Sequence, residues 1–175
     1  SRQNLSVIIV TFKSDQVIHN CIQSISDQIK IIVVDNSNDK KFKENIERKY
    51  NNVECILSPI NSGMGSGNNL GLRYVKTDYA MILNPDVVLE KNTIQEIINY
   101  AKNMSSFSVL APLSADAKYP NYKIEKEDTA NVNDEFPFKV KSVDGYAMVL
   151  SLKKIKQLED FQDNNFFDEN FFMYL

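Results

Sequence analysis

Asp78-Tyr79-Ala80-Met81-Ile82-Leu83-Asn84-Pro85-Asp86 is the stretch that decides the fold class. Tyr79 to Leu83 is an apolar run of β-formers, too short for a helix, and it reads as a buried strand. Asn84 ends it, Pro85 cannot donate to a ladder, and Asp86 stands just beyond. A carboxylate is thus delivered to the tip of a strand, where open α/β sheets bind their ligands.

Working back toward the N-terminus, the same pattern recurs. Leu5 to Thr11 and Lys30 to Asp35 are continuous β-branched runs that read as fully buried strands, with Val53 to Leu57 a third. Helical spacing fills the gaps. Val17, Ile18, Cys21, Ile22 and Ile25 form one stripe, with Ser14 or Asp15 as its cap; Phe42, Ile46 and Tyr50 form another. His19 falls beside the first stripe as a half-exposed helix residue, with no second histidine in the chain to make it a ligand pair. Asn36-Ser37-Asn38-Asp39 has turn chemistry.

Beyond the central strand, Asn92 with Gln95 three residues on predicts a capped helix carrying Ile94, Ile97, Ile98 and Ala101. Ser108 to Ala111 reads as a fifth strand. Alternating strands and helices through the first 110 residues or so predict an α/β fold, a mostly parallel sheet with helices on both faces. The pattern breaks at Pro112, and Leu113 to Pro137 reads as a long polar loop. Lys139 to Val143 and Tyr146 to Leu150 read as strands around Asp144-Gly145, followed by a short helix from Leu152 to Leu158. The end, from Asn165 to Leu175, is aromatic and acidic.

Composition narrows the function. The 175 residues suit one domain with a sizeable core. Twenty Lys and Arg against 23 Asp and Glu give a net charge of −3, with no basic surplus to hold a nucleic-acid backbone. Two cysteines, Cys21 and Cys55, lie inside apolar patterns and read as buried thiols of a reducing cytosol. No apolar run approaches the roughly 20 residues of a membrane span, which leaves peripheral membrane attachment open.

Three features fall at the carboxyl ends of predicted strands: Thr11-Phe12, Asp35 and Asn84-Pro85-Asp86. A carboxylate there can accept from a nucleobase N–H or a ribose hydroxyl, and a second can hold Mg²⁺ or Mn²⁺ when a substrate diphosphate supplies the other oxygens. The bland alternatives are a turn residue for Asp35 and a turn or helix-cap carboxylate for Asp86. Asn61-Ser62-Gly63-Met64-Gly65-Ser66-Gly67-Asn68-Asn69 reads as a glycine-rich loop leading into a helix around Leu70 to Val75. It is neither G-x-G-x-x-G nor a P-loop, so it supports no dinucleotide or Walker fingerprint.

Val7-Ile8-Ile9-Val10-Thr11-Phe12, Ile32-Val33-Val34-Asp35-Asn36-Ser37, Asn61-x-Gly63-Met64-Gly65 with Asn69-x-Gly71, and Asn84-Pro85-Asp86 carry a resemblance. In that order they are similar to the blocks of family 2 glycosyltransferases with a GT-A fold, in the bacterial rhamnosyltransferase-like branch. Asp144-Gly145-Tyr146-Ala147-Met148 and Phe167-Asp168-Glu169-x-Phe171-Phe172-Met173-Tyr174 resemble the later blocks, so the match spans nearly the whole chain.

The resemblance implies one GT-A catalytic domain over 1–175, with a nucleotide-sugar half at 1–112 and an acceptor half at 113–175. Thr11 and Phe12 with Asp35 would hold base and ribose. Asn61, Gly63, Gly65 and Asn69 would close over the nucleotide, and Asn84 and Asp86 would stand where the family has Asp-x-Asp, with Asp86 on the divalent cation. The family's base would fall beyond Leu175, so we expect a chain cut short of it, with Asp168, Glu169 and Asp144 as alternatives inside the sequence. The implied partners are a UDP- or dTDP-linked sugar donor and a glycan or lipid-linked acceptor, in the cytoplasm or at the inner membrane face. The implied reaction is inverting, metal-assisted sugar transfer that builds a bacterial cell-surface polysaccharide. The other classes are a sugar nucleotidyltransferase, against which Thr11-Phe12-Lys13-Ser14 lacks a glycine-rich phosphate loop, and a non-catalytic nucleotide-sugar-binding module.

Overall fold

The computed structural model describes residues 4–104, 106–124 and 136–156. Its centre is a sheet of six strands, assembled from β1 (Leu5–Thr11), β2 (Lys30–Asp35), β3 (Val53–Leu57), β4 (Tyr79–Leu83), β5 (Val109–Leu110) and β8 (Ala147–Ser151). The spatial order is β3-β2-β1-β4-β8-β5. The ladders joining β3, β2, β1 and β4 are parallel; β8 runs antiparallel to both of its neighbours. The first four strands begin and end where their apolar runs do.

Continuous apolar strands need cover on both faces, and the helices provide it. On one face Val7, Ile9, Ile31, Val33, Met81 and Leu83 meet Ile18, Cys21 and Ile22 of α1 (Asp15–Gln23) and Ile46 of α2 (Lys40–Lys49). Ile94, Ile97 and Ile98 of α4 (Thr93–Asn103) extend the same cluster. On the other face Ile8, Val10, Ile32, Val34 and Ile82 meet Met64 and Leu70 of α3 (Gly63–Leu72) and Ile155 of α5 (Leu152–Ile155). Each buried aliphatic side chain contributes roughly 1.5–3 kcal/mol, so the double-faced core holds the strand tips in place.

The glycine-rich segment is a correction. It is not a loop before a helix: Gly63–Leu72 is itself the helix. Of the glycines in this segment only Gly63 has a positive φ, of 86°. Gly67 and Gly71 serve another purpose. A Cβ on Gly67 would fall 2.6 Å from Val10 Cγ1, and one on Gly71 2.6 Å from Ile8 Cγ2. Their missing side chains let α3 lie directly on β1.

Helix caps also differ from expectation. Ser14 precedes α1 but donates its hydroxyl to Phe12 O and caps nothing, while Val17 on the predicted stripe is exposed. Asn92 sits in the left-handed region at φ 72° and makes no capping bond; Gln95 pairs with Asn99 instead. Asp39 does cap, accepting from the Lys41 and Phe42 N–H groups.

The later part of the chain is more structured than its polarity predicts. Within Leu113 to Pro137, β6 (Tyr122–Lys123) pairs antiparallel with β7 (Ser142–Val143) as a separate ribbon. The strands flanking Asp144-Gly145 therefore belong to different sheets, because β8 inserts between β4 and β5. Buried Asn121 pins the ribbon: its side chain accepts from Ser114 N and donates to Pro112 O, and its backbone carbonyl accepts from Asp144 N. The helix after β8 is described as far as Ile155; the expected extension to Leu158 lies outside the described residues.

At the far edge of the sheet, β3 is sealed by side chains of α2. Glu47 accepts from Cys55 N, and Lys43 bridges the Glu47 carboxylate and the Cys55 carbonyl. The two cysteines are free and buried, as expected.

Candidate active site at the strand tips

Thr11 and Asp35 are partners in the β1–β2 ladder, side by side at the carboxyl tips of the two strands. Both are buried, 2% and 1% exposed. Asp35 is engaged by its own turn. One carboxylate oxygen accepts from Ser37 N at 3.0 Å and Ser37 Oγ at 2.7 Å, the other from Asp39 N at 2.8 Å. A carboxylate offers about four acceptor positions, so the turn uses most of them. Asp35 thereby fixes the loop that carries Asn36.

Asn36 ties three elements together. Its N–H donates to Thr11 O, while Ser58 N, just past β3, donates to Asp35 O. Its side-chain amide donates to Gly63 O at the start of α3. Asn61 reaches the same point, its side-chain oxygen accepting from Gly63 N at 3.4 Å. Gly65 and Asn69 are buried within α3, and Phe12, beyond the β1 tip, is 48% exposed.

This corner leaves buried polar atoms without partners among the described residues: Thr11 Oγ1, Asn36 Oδ1 and both amide atoms of Asn68. Asn68 is fully buried and follows Gly67, which rests on Val10, the neighbour of Thr11. An unmet buried hydrogen-bonding group costs about 1–3 kcal/mol; Thr11 and Asn36 carry theirs at adjacent strand tips, while Asn68 lies on α3, on the opposite face of β1 from the Thr11 side chain. Neither Asn36 nor Asn68 stood among the candidates from sequence, although both lie inside the quoted motifs.

Asn84-Pro85-Asp86 follows β4, on the other side of β1 from β2. Two strand spacings of about 4.8 Å separate the β2 and β4 tips. Asn84 is held by its backbone, its N–H donating to Tyr146 O at 2.8 Å and its carbonyl accepting from Val87 N and the Cys21 thiol. Asp86 is exposed and makes no hydrogen bond or ion pair among the described residues. Beneath this turn, burial first and the Asp86 charge second push the Cys21 thiol up to about 12. Cys55 is likewise pushed up to about 12, by burial first and then by the Asp35 charge.

No group of three or more His, Cys, Asp or Glu able to hold a metal occurs among the described residues. The donor set instead suits a hard cation that brings its own partners. Asp86 is an unpaired carboxylate, Asn84 carries an amide oxygen, and phosphate oxygens and water would complete the shell. Asp144 is half-buried at the root of the ribbon, two residues before Tyr146 and so beside the Asn84 turn. Asp168 and Glu169 lie outside the described residues. Two cavities, of about 680 Å³ between α1 and α2 and about 370 Å³ beside α4, are lined by none of Thr11, Asp35, Asn84 or Asp86.

Unmet polar groups and a free carboxylate at the tips of parallel strands stand where open α/β sheets bind their ligands. The chain belongs to glycosyl transferase family 2, whose profile matches residues 6–173. It is 31% identical over 113 residues to the low-salt glycan biosynthesis hexosyltransferase Agl10 of Haloferax volcanii, an alignment covering 62% of this chain and 36% of the relative. With the rhamnosyltransferase WbbL of Escherichia coli K12 it shares 27% identity over 132 residues, 69% of this chain and 49% of the relative. The chain thus spans between about a third and a half of these curated relatives. Among solved structures, the mannosyltransferase PcManGT from Pyrobaculum calidifontis, in complex with GDP-Man and Mn²⁺, superposes with a TM-score of 0.61 at 13% identity, over 95% of this chain and 50% of that one. The fold is the GT-A arrangement expected from the sequence. No helix among the described residues is long and apolar enough to cross a membrane.

Proposed function

We propose that this chain carries the donor-binding part of an inverting glycosyltransferase. It would move a sugar from a UDP- or dTDP-linked donor to a hydroxyl of a glycan or lipid-linked acceptor, at the inner face of a membrane during synthesis of a surface polysaccharide. The observation that supports this best is the pair of unpartnered buried oxygens, Thr11 Oγ1 and Asn36 Oδ1, at the adjacent β1 and β2 tips, with the unpaired Asn68 amide on α3 behind them and the free Asp86 carboxylate across β1. A nucleoside supplies donors and acceptors to the first group and its diphosphate spans toward the second.

In this reading Asp35 positions the Asn36 turn, and one remaining acceptor site is left for a ribose hydroxyl. Phe12, exposed beyond the tip, offers a ring face to the base. Asn61 and Gly63 open α3 beside the nucleotide, and buried Gly65 and Asn69 set the helix in place. Asn84 and Asp86 would hold Mg²⁺ or Mn²⁺ against the diphosphate, where such a cation offsets the charge of the leaving group. A carboxylate then takes the proton from the acceptor hydroxyl, a step typically about 10²–10⁴-fold in rate. The resemblance puts that base after Leu175; Asp144, Asp168 and Glu169 are the candidates inside the chain.

Calorimetric titration with UDP-, dTDP- and GDP-sugars, with and without Mn²⁺, tests the proposal. Wild type should bind a nucleotide more tightly with metal, and Asp86→Asn should lose that difference while keeping metal-free binding. Nucleotide binding that ignores both metal and Asp86 removes the metal role. No nucleotide binding at all removes the donor site.

A further inference from the structure

The cavity of about 370 Å³ beside α4 has a composition that the donor site does not explain. Its floor is apolar, from Ile97, Leu110 and Val143, and its side is aromatic. Tyr122 and Phe138 meet edge to face at 5.3 Å, and Phe136 joins Phe138 at 5.7 Å, so three rings form one continuous surface. Phe136 is 53% exposed.

Among the described residues the charges in the lining are all of one sign: Glu90 and Glu96, with no lysine or arginine. Neither carboxylate is in either of the ion pairs found among the described residues, Lys30–Glu54 and Lys43–Glu47. Such a lining repels phosphates and anionic lipid headgroups. It suits a neutral ligand with an apolar C–H face to lie on the rings and hydroxyls to donate to the carboxylates.

The cavity lining also borders, in the chain, the segments that carry Asp86 and Asp144. β5 lies level with the middle of β4, since Val109 and Leu110 pair with the β8 residues that pair with Ala80 and Met81. From there the lining runs through Pro112 and Leu113 to Glu90 and Thr93, the residues that follow Asp86 into α4. Val143 lines it from the other side, next to Asp144.

We propose that this groove is a carbohydrate subsite that seats a neutral pyranose unit of the acceptor, Phe136 and its neighbouring rings stacking on the sugar face and Glu90 and Glu96 taking its hydroxyls. It names the acceptor class for the transfer reaction proposed above and rests on that reading for its role, not for its binding.

The test is saturation-transfer NMR on the full chain without nucleotide, using methyl glycosides of glucose, N-acetylglucosamine, mannose and rhamnose, with decyl maltoside below its micellar concentration as an apolar-tailed probe. At least one glycoside should receive saturation at its ring C–H protons. Phe136→Ala and the exposed-surface variant Glu96→Gln should each weaken it about threefold to tenfold, with UDP affinity unchanged. No transfer to any glycoside overturns the proposal, as does transfer that both variants leave intact. Saturation confined to the decyl chain overturns it too and makes the groove a lipid site. Loss of UDP binding with glycoside binding retained would instead strike the donor reading alone.

Discussion

Gly67 lies so close to Val10 that a single added carbon would fall 2.6 Å from Val10 Cγ1. The neighbour is a buried, β-branched side chain in the middle of a four-strand parallel ladder, and it cannot step aside. Gly67→Ala gains about 1 kcal/mol of helix propensity but overpacks the interface by roughly 1–3 kcal/mol. We expect net destabilisation, read as a lower urea midpoint at unchanged slope. Gly63→Ala should also destabilise, for the different reason that φ 86° strains any L side chain.

Asn68 offers a test in which stability and binding move in opposite directions. Its amide is fully buried with neither atom paired. Asn68→Leu removes the unmet groups at similar volume, so the ligand-free protein should gain about 1 kcal/mol. Nucleotide affinity should fall at least roughly tenfold, as for a lost buried hydrogen-bonding partner. Thermal shift with and without UDP measures both.

The thiols should be inert. With Cys21 and Cys55 both pushed up to about 12 by burial first and a nearby carboxylate second, the thiolate fraction near pH 8 is about 10³-fold below that of a free cysteine. Alkylation followed by mass spectrometry should leave both unmodified in the native protein and label both in urea. Labelling of Cys21 alone under native conditions would show that the turn above it opens.

Acid should weaken the fold in two stages. His19, hydrogen-bonded to the Tyr50 hydroxyl at 2.9 Å, is held below its usual value by burial and then by Lys49, with Asp15 opposing. For Glu47, burial pushes upward, but bonds from Lys43 and the Cys55 N–H outweigh it and hold the carboxyl low. Both groups bind protons more readily in the unfolded chain. Each therefore contributes stability that is complete above its unfolded value and lost as pH falls through its lower folded value. The first decline begins below 6.5 and the second below 4.5. Urea melts across that range should show both, and His19→Gln should remove the upper one.

How legible was this architecture? The strands were, because β1, β2 and β4 are buried on both faces and a run such as Val7 to Val10 has no other stable use, while β3 at the edge still keeps its apolar Val53, Cys55 and Leu57. The glycine segment misled because glycine is a poor helix former, which hid the telling spacing: Gly63, Gly67 and Gly71 recur every fourth residue, along one helical face. The place of β8 was not local information; nothing in Ala147 to Ser151 says that its partners are Tyr79 to Leu83 and Val109-Leu110. At the site, Asp35 and Asp86 stood out as carboxylates at strand tips. Asn36 and Asn68 did not, since an asparagine's importance here comes from what it fails to bond, which only packing reveals.

Lys43 and Glu47 occupy the outward backbone groups of Cys55, which blocks the middle of the β3 border to an incoming strand. The opposite border ends in β5, two residues long, with Val109 38% exposed. A further strand is therefore better accommodated beside β5 than beside β3. Because Val109 and Leu110 also line the aromatic groove, a segment added there would border it.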